Sequence, residues 1–103
     1  MNGVYHVNFT SALGSGGGTV YLENGVLRGG DATMAYWGNY SIVEDKCEAS
    51  VVLAKHGEGF SVLGDAKALH FQGTVKNSSI EGIGKVPSTN TQASICMRKI
   101  AAL

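Results

Sequence analysis

The chain has 103 residues, 44% of them hydrophobic, with eight basic and eight acidic side chains and a formal net charge of zero. That length suits one domain able to bury an apolar core without a metal or disulfide framework, and the charge balance removes the long-range field that gathers nucleic-acid phosphates. A charged fraction of 16% with fifteen glycines, against averages of about 25% charged and roughly 7% glycine, excludes a disordered or coiled-coil chain.

Residues Met1 to Thr10 carry neither a basic n-region nor a continuous apolar stretch, and no window approaches the ~18 apolar residues of a membrane-spanning helix. A soluble, cytoplasmic protein is therefore expected. Helical periodicity is hard to find, whereas apolar and polar residues alternate with the period of a β-strand. In the first segment Tyr5, Val7 and Phe9 fall on one face, and His6, Asn8 and Thr10 on the other. The run Gly14 to Gly18 is read as a loop, after which Val20 and Leu22 alternate with Thr19, Tyr21 and Glu23.

Asn24-Gly25 stands between Thr19–Glu23 and Val26–Arg28, and this dipeptide suits the two positive-φ positions of a type I′ hairpin. Gly29-Gly30-Asp31 is the next expected break. Met34, Tyr36, Gly38, Tyr40 and Ile42 then alternate with Ala35, Trp37, Asn39, Ser41 and Val43. Glu44-Asp45-Lys46 reads as a turn, Cys47 to His56 as a strand with Ala49, Val51 and Leu53 on one face, and Gly57-Glu58-Gly59 as a turn.

A short strand is expected over Phe60 to Leu63, a turn at Gly64-Asp65, and a strand over Ala68 to Lys76 with Leu69, Phe71 and Val75 together. Asn77-Ser78-Ser79 turns the chain again. Ile80 to Val86 and Ala93 to Ile100 complete the set, separated by the polar stretch Pro87 to Gln92. Eight or nine short strands with turn chemistry between them predict an all-β antiparallel meander that closes into a barrel or folds into a sandwich. Closure is favoured because it removes edges that a sparsely charged chain is poorly equipped to protect. Gly38, Gly73, Gly82 and Gly84 fall inside strand patterns and predict bulges or sharp bends.

Chemistry-bearing constellations are scarce. Gly14 to Gly18 lacks the Lys-Ser/Thr pair and the helix that a phosphate loop requires. His6, His56 and His70 share no ligand spacing, and a surface or hydrogen-bonded role is expected of each. Cys47 and Cys96 form no C-x-x-C motif, so buried thiols are expected rather than a disulfide or a metal site. No nucleophile with a base and an orienting acid can be assembled, so no enzymatic activity, cofactor or metal is expected. Glu44, Asp45 and Glu48 are the one concentration of negative charge, either a solvated hairpin turn or a surface for a basic partner.

Asn2-Gly3-Val4-Tyr5, then Glu23-Asn24-Gly25-Val26-Leu27 followed by Gly29-Gly30-Asp31, and Tyr36-Trp37-Gly38 recur in an order that resembles the GrlR-type negative regulators of type III secretion, the global regulator repressor family of bacterial pathogens. The likeness covers the first 40 residues, with Val51-Val52-Leu53 before His56 continuing it. It implies a small antiparallel up-and-down β-barrel, lipocalin-like and homodimeric. Such a barrel acts by binding a helix-turn-helix transcriptional activator rather than as an enzyme. The family's enteric member presents alternating Glu and Asp in the loop after the Y-x-G strand. Here Glu44 and Asp45 fall in that loop, while Lys46 and Cys47 replace the second acidic pair and Glu48 partly restores the charge.

Two readings result. In the first, one barrel domain over 1–103 is a cytoplasmic regulator that works by protein contact, its wall forming the dimer interface and Glu44, Asp45 and Glu48 choosing the activator. In the second, the barrel carries or senses a small apolar ligand held by Val7, Phe9, Tyr36, Tyr40 and Leu53. Neither involves direct nucleic-acid or membrane binding.

Overall fold

The structure is a computed structural model that describes residues 1–59, 63 and 65–103. Eight strands follow one another: β1 (Gly3–Ser11), β2 (Gly14–Glu23), β3 (Val26–Gly30), β4 (Met34–Val43), β5 (Lys46–Lys55), β6 (Ala68–Lys76), β7 (Ser79–Lys85) and β8 (Gln92–Ala101). Each pairs antiparallel with the next, and β8 returns to pair with β1, so the sheet closes as an up-and-down barrel. No helix occurs among the described residues. The expectations of an all-β chain and of closure both hold.

Closure follows from the alternation. Tyr5, Val7, Val20, Leu22, Leu27, Tyr36, Ala49, Val51, Leu53, Leu69, Phe71, Ile80, Ile95 and Met97 all point inward and are buried. Their strand neighbours face solvent, as a period of two requires. An eight-stranded barrel is just wide enough for such side chains to fill it.

The two ends differ. At one end three hairpins turn in two residues each, at Asn24-Gly25, Glu44-Asp45 and Asn77-Ser78. Tyr5, Leu22, Cys47 and Ile80 are fully buried, and the Tyr5 hydroxyl donates to the Met1 carbonyl at 2.9 Å. At the other end lie the β1–β2 turn, the connections over 31–33 and 86–91, and the described residues of the β5–β6 connection. The expected strand at Phe60 to Leu63 and turn at Gly64-Asp65 lie largely outside the described residues; Leu63 and Asp65 are in turns.

Three local expectations are corrected. The glycines from Gly14 to Gly18 are not a loop. They form the first half of β2, each paired across β1 from Ser11↔Gly14 to Val7↔Gly18, because the ladder bonds use backbone groups that glycine retains. Gly29 and Gly30 likewise belong to β3, and the chain breaks only after them. Of the bulges or sharp bends expected at Gly38, Gly73, Gly82 and Gly84, the bulges are absent: those glycines coincide with no register shift, and among the described residues the irregularity in the pairings lies between Val4 and Tyr5 in β1. Gly38 instead permits close approach: a Cβ there would overlap the Ser50 carbonyl oxygen of β5 and lie 3.0 Å from Val51 Cα.

Candidate functional site

Three surfaces or spaces merit a functional reading, and the barrel holds them apart. The first is on the outer wall. Two-residue turns fix the register of β2 against β3 and of β4 against β5, so that Tyr21 lies opposite Arg28 and Trp37 opposite Val52, and the pairing of β3 with β4 across the 31–33 connection sets Arg28 opposite Trp37. Val4 of β1 extends the row beside Tyr21. Tyr21, Trp37 and Val52 are 50%, 45% and 44% exposed, and Arg28 is exposed between the two aromatic residues. With strands ≈ 4.8 Å apart, the row spans five neighbouring strands, β1 to β5, as one largely apolar stripe. Aromatic residues and arginine are the types enriched where proteins meet.

The second is the acidic turn. Glu44 and Asp45 are the whole β4–β5 connection, and Glu48 projects from the outer face of β5, where its Oε1 accepts from Gln72 Nε2 at 3.2 Å. All three are exposed. The first residue of each tight turn takes a left-handed backbone, φ 49° at Asn24, 59° at Glu44 and 53° at Asn77. Asparagine tolerates that region; glutamate does so at a cost of roughly 1 kcal/mol or more. The chain thus keeps an acid where its two sister turns use asparagine, and residues held in such conformations cluster at functional positions.

The third is the barrel interior toward the looped end. An apolar cavity of about 60 Å³ is lined by Val7, Phe9, Tyr36, Leu53 and Phe71 among others. Phe9, Tyr36 and Leu63 also line an adjoining mouth of about 200 Å³, which adds Asp31, Thr33 and backbone of Gly16 and Gly17. Phe9 and Tyr36 pack edge to face with centroids 6.4 Å apart. Four of the five cavity residues expected from the sequence are therefore brought together. Tyr40 is not: four positions along β4 it packs against the core toward the tight-turn end, near Tyr5, whose pKa is raised by burial first and then by Tyr40 and Cys47.

Asp31 organises the mouth. Its Oδ1 accepts backbone N–H groups of Thr33 and Met34, each at 2.8 Å, while its Oδ2 accepts the Tyr36 hydroxyl. Burial, followed by the hydrogen bond and charge of Asp31, raises the Tyr36 pKa far above the ordinary tyrosine range. The hydroxyl stays protonated.

The remaining candidates stand apart. His6 Nε2 lies 3.2 Å from Asn8 Oδ1, and His56 Nε2 donates to the Asp31 carbonyl at 3.0 Å. Cys47 is a buried free thiol with a pKa raised by burial and then by Glu48. Cys96, also free, is only half-buried: it alternates with the inward Ile95 and Met97 and so faces outward, contrary to the expectation of burial. Among the described residues no group of three His, Cys, Asp or Glu side chains could hold a metal ion, and no helix is long and apolar enough to cross a membrane.

The residues the sequence reading overlooked are Tyr21, Arg28, Val52 and Asp31. A signal was present for the first three, because a two-residue turn at Asn24-Gly25 fixes Tyr21 opposite Arg28 and one at Glu44-Asp45 fixes Trp37 opposite Val52. Comparison with known proteins adds no family: no protein-family model matches the chain, and no curated protein matches it.

Proposed function

We propose that this chain is a non-enzymatic regulatory barrel that works by protein–protein contact, pairing with a second copy through its outer wall and sequestering a helix-turn-helix transcriptional activator, as the regulators of type III secretion that it resembles do. The observation that carries this reading is the stripe of Tyr21, Arg28, Trp37 and Val52, which leaves three large apolar side chains about half exposed on β2, β4 and β5, with Arg28 of β3 between the first two. Scattered apolar residues need no explanation, but a contiguous exposed patch favours association. Glu48 lies on the same outer face of β5, four residues along from Val52, and Glu44 and Asp45 lie in the turn just before that strand. Together they supply charge at the rim, where charge steers encounter with a basic partner more than it adds affinity.

The test is capture from the native cytoplasm with three baits: the wild-type chain, a Glu44→Ala/Asp45→Ala/Glu48→Ala variant and a Trp37→Glu variant. Recovery of a DNA-binding activator by the wild type, with loss in the acidic-turn variant, supports the reading. An activator recovered equally by all three baits, or none by any, overturns it.

A second reading, binding of a small apolar ligand, has one specific observation in its favour. The apolar cavity adjoins a wider mouth through shared residues. The size of the inner chamber counts against a bulky ligand, since a cavity of about 150 Å³ is what a benzene ring occupies in a protein core.

A further inference from the structure

We propose that the mouth formed by Asp31, Tyr36 and Thr33 and the cavity beneath it bind a small linear aliphatic amine, head outward at Asp31 and tail inward, and discriminate against fatty acids. This rests on the second reading above and is independent of the outer wall.

The tail follows from the inner chamber. Val7, Val20, Leu27, Val51, Ile95 and Met97 are among the apolar side chains that line its volume of about 60 Å³. That is room for a few methylene groups in line, but not for a ring. Continuity with the outer chamber is supplied by Phe9, Tyr36 and Leu63, which border both.

The head follows from what the mouth offers. Asp31 is the only charged side chain that borders it among the described residues. Its Oδ1 is engaged by two backbone N–H groups and its Oδ2 by the Tyr36 hydroxyl. The capacity left over on Asp31 and Tyr36 is all acceptor: a further lone pair on Oδ2 and the lone pairs of the Tyr36 oxygen, whose one proton is directed at Asp31. A carboxylate head meets the like charge of Asp31, and among the described residues the side-chain donors that border the mouth besides Tyr36 are the neutral hydroxyls of Ser15 and Thr33. An ammonium brings three donors and the opposite charge to a partly desolvated carboxylate, where charge-assisted hydrogen bonds are strong. The nearby His56 imidazole is committed to the Asp31 carbonyl through Nε2.

The experiment is titration of the isotope-labelled protein with n-hexylamine, n-hexanol and n-hexanoate at one pH and ionic strength, followed by amide and methyl NMR shifts. Hexylamine should give saturable shifts at Gly16, Gly17 and Thr33 and at the methyls of Val7, Val20 and Ile95, with at least tenfold higher affinity than hexanoate. Asp31→Asn, which keeps an oxygen for the Thr33 and Met34 amides, should cut hexylamine affinity about tenfold and leave hexanol within twofold. Should that variant fail to fold, Tyr36→Phe serves instead and should weaken hexylamine and hexanol alike. Ala49→Leu, which fills the chamber, should abolish binding of all three probes while the protein stays folded. Equal binding of hexanoate and hexylamine overturns the head-group assignment while the ligand-binding reading survives. No saturable shift with any probe overturns both.

Discussion

Replacing Glu44 by asparagine should make the protein more stable while weakening its recognition of a basic partner. Glu44 takes φ 59° in a two-residue turn, and the same position in the two sister turns is asparagine at 49° and 53°. A side chain with an ordinary Cβ costs about 1–2 kcal/mol in the left-handed region, and asparagine escapes much of that through local hydrogen bonding. Glu44 is exposed, so little packing opposes the change. The expected gain is about 0.5–1 kcal/mol, equivalent to a rise in melting temperature of about 2–5 °C for a domain of this size. Thermal unfolding by circular dichroism in matched buffers reads it directly, and stopped-flow association with the captured activator should show a slower, less salt-dependent on-rate. An unchanged or lowered melting temperature would refute the argument that this turn retains an acid against its own backbone preference.

Other consequences follow from the packing. Gly38→Ala should destabilise by about 1–3 kcal/mol in chemical denaturation, because its Cβ would meet the Ser50 carbonyl oxygen and Val51 Cα, backbone that cannot swing aside. Leu22→Ala, at a side chain 1% exposed, should cost about 2–5 kcal/mol in the same assay. Stability should also fall in alkali. Burial raises the folded pKa values of the Tyr5 and Tyr36 hydroxyls and the Cys47 thiol above their ordinary values of 10.0 for tyrosine and 9.0 for cysteine. The unfolded chain therefore releases these protons first, and the stability they contribute is present below pH 9 and lost as the pH climbs above it. Denaturant midpoints at pH 8, 10 and 11 should decline in that order, and Tyr36→Phe should make the decline shallower.

Much of the barrel is legible in the order of residues, and the exceptions have a common cause. The β6 span Ala68–Lys76 and the turn at Asn24-Gly25 stand where alternation and turn chemistry put them, since both are set by nearest neighbours. The glycines of β2 carry no side-chain alternation, so their strand is visible only in the pairing with β1. Tyr36, Trp37 and Tyr40 read as one aromatic group in the sequence, yet the pleat sends Trp37 outward and Tyr36 inward, and the length of β4 parts Tyr36 from Tyr40. The wall stripe needs three registers at once, two of them fixed by tight turns and one by the 31–33 connection, where Asp31 ties the loop through Thr33 and Met34. The bond from Tyr36 to Asp31 that shapes the mouth is a tertiary contact that no spacing announces.

The claim that the outer wall is a contact surface is tested most directly by sedimentation equilibrium of the wild type and Trp37→Glu at micromolar concentration. Trp37 is 45% exposed on the wall, so a charge there leaves the core intact and the melting temperature within a degree or two of the wild type. The wild type should sediment at twice the chain mass and the variant at the chain mass. A wild type that stays monomeric throughout, or a variant that dimerises as tightly as the wild type, would contradict a contact role for the wall.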